Sequence, residues 1–175
     1  RMTVQQFIRY DTLANAEFAE TVALNTTAFL DASGTALGNP TEGALLTWLR
    51  DNGSDYETLR NHARIIDRLT FSTERKYMAT LIESGFSGRR MLCVKGAPEI
   101  VRAMCLPDGR NDEIAAQLDD MQRHAMRTLG FAWGETSAAD CTEALARGGL
   151  HFAAIAAIAD PVREDVPAAV GRCLD

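Results

Sequence analysis

ARIIDRLTFS (63–72), KYMATLIES (76–84) and MLCVK (91–95) follow one another with little between them. Each is rich in β-branched, aromatic and aliphatic residues, and GFSGRR (85–90) reads as the turn joining the last two. A hairpin-like meander at the centre of the chain therefore sets the fold class. Working outward, TVQQFIRY (3–10), LGFAWGET (129–136) and LHFAAIAAI (150–158) read as further strands. Phe18, Val22, Ala23, Thr26 and Phe29 recur at helical spacing, which predicts a helix over 15–30. DASGTALGNP (31–40) reads as a loop. Thr41 is expected to cap a second helix that Asn52-Gly53 ends, with Glu42 in its first turn facing the helix dipole. A short helix follows at 54–62. Gly96 breaks the third strand, and Pro98 suits the first turn of PEIVRAMC. Ile114, Leu118, Met121, Ala125 and Leu129 form one stripe, predicting a helix from Asp112 to about Thr128. Strands and helices mix without a β-α-β rhythm, so the expected class is α+β with a twisted, mainly antiparallel sheet.

The 175 residues suit one domain, or one plus a short appendage, and a 46% hydrophobic content supplies a core. A net charge of −6 argues against nonspecific nucleic-acid binding, which rests on basic residues meeting phosphates. It leaves room for a local basic pocket. Cys93, Cys105, Cys141 and Cys173 form no C-x-x-C pair and have no histidine at zinc-finger spacing, so reduced thiols are expected and no metal site. No apolar run reaches the ~18 residues that span a bilayer, so no direct membrane contact is expected. FAAIAAIA (152–159) reads as a buried strand instead. Arg1 stands where a start methionine would be, and Asp175 follows directly on a helical pattern, so both ends are expected to be cuts inside a longer protein.

Neither G-x-x-x-x-G-K-[ST] nor G-x-G-x-x-G occurs, and His62, His124 and His151 have no neighbours suggesting a triad. Four other segments carry possible chemistry. KGAPE (95–99) puts a lysine at the end of a strand with little bulk after it; a turn with a solvated lysine would look the same. FSTERKYM (71–78) sets an aromatic near cations, as an adenine-phosphate ligand requires: a ring for stacking and a charge for phosphates. Strand alternation would put Phe71 and Lys76 on opposite faces, so the backbone must bend for them to share a pocket. GNPTEGALL (38–46) and DPVRE (160–164) read, on their own, as a loop before a helix and a strand-to-helix turn.

In this order and spacing, the four segments resemble the nucleotide-binding domain of P-type cation-transporting ATPases, in the calcium-pump branch. The resemblance covers nearly the whole chain. Val162 departs from it, standing where that family has a second proline. The resemblance implies a sheet flanked by helical hairpins, a nucleotide-binding domain over 1–160, and a hinge with the start of a phosphorylation domain over 161–175. It implies that Phe71 stacks on adenine and that Glu42 accepts a hydrogen bond from the base or orders nearby cations. Lys95 would line the inner pocket near base and ribose, and Lys76 would meet the phosphates. Arg127 would reach phosphates or ribose, and Gly96 would let the ligand approach the backbone. ATP is the implied ligand, with Mg2+ in the full pump. The implied partners are the phosphorylation and transmembrane domains of the same polypeptide, and the implied place is the cytoplasmic side of a membrane protein. No catalytic residue is expected here, because the phosphoryl-accepting aspartate is absent. The competing readings are a docking domain that has lost nucleotide binding, and a free-standing nucleotide-dependent enzyme.

Overall fold

The chain enters on strand β1 (Thr3–Arg9) and helix α1 (Asn15–Leu24), then a small ribbon of β2 (Phe29–Leu30) and β3 (Ala36–Leu37). Helices α2 (Pro40–Asp51) and α3 (Tyr56–His62) precede the meander β4 (Arg64–Leu69), β5 (Tyr77–Glu83) and β6 (Arg90–Gly96). Helices α4 (Pro98–Ala103) and α5 (Asn111–Arg123), strand β7 (Arg127–Glu135), helix α6 (Cys141–Arg147) and strand β8 (His151–Ala159) complete it. The structure is a computed structural model describing residues 1–160; the hinge and boundary expected over 161–175, with Val162, lie outside the described residues.

Six strands form one sheet in the order β1-β8-β7-β6-β5-β4, every neighbouring pair antiparallel. Side-chain alternation then sorts the core into two layers. Met91 and Cys93 of β6 face α1–α3, while Leu92 and Val94 face α4–α6. The same alternation turns Lys95 toward the first helical layer. Helices cover both faces, so β8 is buried on each side, which is why FAAIAAIA is apolar without a break.

Helix α1 stops at Leu24, not near residue 30. Its last turn holds no basic residue, and cations from elsewhere take the carbonyls that follow. Arg60 of α3 donates to Ala23 O (2.8 Å), Thr26 Oγ1 (2.9 Å) and Ala28 O (2.9 Å). Its guanidinium lies 4.6 Å from the Tyr56 ring centroid and 5.2 Å from that of Phe29. Arg68 of β4 donates to Leu24 O, and Lys95 of β6 to Asn25 O at 2.6 Å. Thr26 and Phe29 fitted a helical stripe, but this segment is a capped loop. The α5 stripe also ends early, at Arg123, because Ala125 turns left-handed (φ 57°). Leu129 therefore belongs to β7. Helix α2 is capped by Asn39, whose side chain accepts from Thr41 N (2.8 Å) and Glu42 N (3.2 Å), with Pro40 in the first turn. Thr41 is thus freed from the capping role expected of it. Helix α6 was not anticipated; it spans seven residues, too few to show a periodicity, and Asp140 caps it.

Replacing Arg60 by lysine keeps the charge but loses the fork that spans three acceptors. The variant is expected to be less stable by about 2–4 kcal/mol, read as a lower urea midpoint with an unchanged slope.

Candidate functional site

A cavity of about 690 Å³ opens between the end of the sheet and the start of α2. Glu42, Phe71, Lys76, Lys95, Gly96 and Arg127, all singled out in the sequence, line it together. Thr27, Thr41, Met78 and Leu129 line it too, without having been anticipated. Met78 was legible in principle, since it lies directly opposite Lys95 in the β5–β6 register. Thr27 gave no signal, because it sits in a segment that looked helical.

The cavity floor is an ion pair. Lys95 is buried, and its Nζ donates to Glu42 Oε2 and to Asn25 O, each at 2.6 Å. Glu42 Oε1 accepts from Thr27 N (3.2 Å) and Thr27 Oγ1 (3.1 Å). Burial works against the Glu42 carboxylate, but the Lys95 ammonium and the Thr27 donors outweigh it and hold the carboxyl below its ordinary value. Burial lowers the pKa of Lys95, against the pull of Glu42. With two donors already committed, Lys95 serves the site mainly as part of its floor.

One wall is the turn between β4 and β5. Residues 71–76 are not extended: Lys76 N donates to Ser72 O at 2.7 Å, and Lys76 sits at φ 63°. This is the bend that the alternation argument requires, and it brings Phe71 (58% exposed) and Lys76 to one cavity. Ala97 N donates to Lys76 O at 3.0 Å, docking the turn on the end of β6. Gly96 makes that docking possible. A Cβ there would fall 2.4 Å from Lys76 O and 2.6 Å from Tyr77 Cα. The missing side chain makes room for this turn, and Gly96 also lines the cavity where the resemblance implied an approaching ligand. Arg127 opens β7, exposed, with Nη1 3.3 Å from the Thr41 hydroxyl that accepts from it. Among the described residues, neither Lys76 nor Arg127 has a carboxylate within 4.0 Å, and no group of three or more His, Cys, Asp or Glu is placed to hold a metal ion.

A family model described as the cytoplasmic domain N of P-type ATPases matches residues 14–165. The chain belongs to that family. This N domain is 33% identical over 155 residues to "Calcium-transporting ATPase 4, plasma membrane-type" of Arabidopsis thaliana, covering 82% of this chain and 15% of the relative. It is 30% identical over 152 residues to "Calcium-transporting ATPase" of Bacillus subtilis, covering 78% and 16%. "Plasma membrane calcium-transporting ATPase 1" of Gallus gallus matches at 31% over 158 residues, covering 78% and 13%. The chain thus spans only a small part of the length of these relatives. The antiparallel α+β fold expected of the N domain is the fold observed.

Two variants test the packing of this turn. Lys76→Gly relieves a left-handed backbone and is expected to raise stability by up to about 1 kcal/mol, read by urea denaturation. Gly96→Ala drives a Cβ into the 71–76 turn and is expected to lower it by about 1–3 kcal/mol. The floor pair predicts a pH signature. The stability that a carboxyl held low contributes is fully present above its unfolded value, 4.5, and is lost as pH falls through the lower folded value. Glu42→Gln leaves the Lys95 ammonium buried without its counter-ion. It is expected to be about 3 kcal/mol less stable at pH 7, and thermal unfolding should show the gap to wild type closing below pH 4.5.

Proposed function

We propose that this N domain binds ATP in the cavity and, within a longer P-type ATPase, presents the γ-phosphate to an aspartate on another domain. The observation that carries the reading is one cavity holding an exposed aromatic and apolar wall together with two cations that have no carboxylate partners among the described residues. Its volume lies within the range usual for small-molecule sites. The base packs against Phe71, Met78 and Leu129, where apolar surface is concentrated. Glu42 has three of its roughly four acceptor positions in use and keeps one for an amino group of the base. The phosphates lie toward the mouth, between Lys76 and Arg127, whose donors form charge-assisted hydrogen bonds with phosphate oxygens. Magnesium would arrive with the phosphates.

The chain contains no Asp-Lys-Thr-Gly-Thr sequence to supply a phosphoryl acceptor. Its part is binding and delivery, and it is expected to hydrolyse no ATP alone. In the longer protein, the accepting aspartate attacks the γ-phosphorus and ADP leaves. Thr3 and Ala159 pair across the β1–β8 edge, which supports a hinge whose two chain crossings lie side by side. The names of the relatives point to calcium as the transported ion, moved by membrane helices outside this chain, and the N domain would then lie on the cytoplasmic side.

Titration of the isotope-labelled chain with ATP, followed by two-dimensional NMR, tests the reading. Shifts are expected at Phe71, Lys76, Lys95 and Glu42, with a dissociation constant of about 1 mM. Phe71→Ala should weaken binding by about tenfold, since base stacking contributes roughly 1–3 kcal/mol. A folded wild-type chain that shows no shift with several millimolar ATP would overturn the proposal and favour a docking domain. Phosphate release by the chain alone would instead favour a free-standing enzyme.

A further inference from the structure

A second cavity, of about 280 Å³, opens at the opposite end of the sheet. Strand β7 runs from Arg127 at the first cavity to Trp133 at the second, so about 20 Å of extended chain separates them. Exposed His151 and partly exposed Trp133 supply aromatic surface beside the buried rings of Tyr10 and Phe152, and Leu106 stands near them 48% exposed. The rings of Trp133 and His151 lie 4.9 Å apart, and those of Tyr10 and Phe152 stack at 5.8 Å.

The charges around this cavity decide what it would take. Two carboxylates line it, and both are already engaged. The Asp11 side chain is buried and accepts from Arg9 (3.0 and 2.8 Å) and from Trp133 Nε1 (2.8 Å), which also fixes the indole. Asp108 accepts from both arms of Arg102 (2.9 and 2.6 Å) and from Arg110 N (3.0 Å). Those bonds, Arg102 first, hold its pKa at about 2. Arg110 differs. Its guanidinium lies 5.8 Å from the Tyr10 centroid, and its carboxylate neighbour is Glu113 at 3.5 Å, both side chains about half exposed. A pair so exposed contributes little and yields readily to another anion. The cavity therefore offers aromatic surface for a ring and one available guanidinium for an acid group.

We propose that this distal cavity is a second ligand site, for a small aromatic carboxylate whose ring rests on Trp133 and His151 and whose acid group meets Arg110. The volume admits one or two fused rings. The site is independent of the nucleotide reading, since no residue lines both cavities.

The test titrates the labelled chain separately with indole-3-acetate and with neutral indole-3-acetamide. Saturable shifts are expected at the Trp133 Nε1–H and at the amides of Arg110 and His151. The acid should bind about tenfold tighter than the amide. Arg110→Gln should bring the acid down to the affinity of the amide and leave the amide unchanged. No saturation at Trp133 by about 10 mM ligand, equal affinity for acid and amide in the wild-type chain, or shifts confined to Phe71, Lys76 and Lys95 would each overturn the proposal. The acid–amide comparison needs no variant, so the outcome does not depend on how Arg110→Gln folds.

Discussion

The carbonyl end of α1 organises everything around it. A helix ends with unpaired carbonyls and the negative pole of its dipole, and α1 has no cation of its own to meet them. Arg60, Arg68 and Lys95 come instead from three different elements, and Glu42 from a fourth supplies the counter-charge. Burial lowers the pKa of both arginines, yet an arginine keeps its charge in any protein setting. The cluster therefore ties the first helical layer to β4 and β6 by charge-assisted bonds that water cannot easily replace. Glu42 and Lys95 of this cluster also form the floor of the larger cavity, so part of what stabilises the fold also shapes the site.

The site divides its cations by depth. Lys95 is deep and committed, whereas Lys76 and Arg127 are shallow and available. Only the shallow pair can change partners without uncovering a buried charge, which is what a ligand that binds and leaves demands. The wall carrying Lys76 stores backbone strain, held by Gly96 and the Ala97–Lys76 hydrogen bond. Strained non-glycine residues persist where the surrounding structure fixes them, and they gather at ligand sites. A sheet end carrying one strained turn fits the proposed role of holding a ligand in place while chemistry happens on another domain.

The meander was legible in the sequence because strand-favouring composition and short turns leave few alternatives. Its antiparallel class followed from the absence of a β-α-β rhythm, and the burial of FAAIAAIA from an unbroken apolar run too short to span a bilayer. Segment boundaries were less legible where tertiary contacts override local pattern. Thr26 and Phe29 continue a helical stripe, but the cations that stop the helix at Leu24 lie more than thirty residues away. Asn39 outranks Thr41 as a cap, a competition between two good capping residues that spacing alone does not resolve. Within the site, Phe71 and Lys76 announced themselves by residue type, and the need for a bend between them was plain from alternation. The reason for Gly96 was hidden, because the turn packed against it is contributed by a different strand pair. Thr27 and Leu129 were hidden by helical stripes that ran past the true helix ends.

Manganese can replace magnesium beside ATP and broadens the NMR signals of nuclei near the phosphates. Its reach therefore reports whether the base lies inward and the phosphates outward. Broadening by Mn2+–ATP is expected to be greatest at Lys76 and Arg127 and to fall off along the sheet toward Trp133. Broadening centred on Lys95 and Glu42, or at the distal end near Trp133, would contradict it.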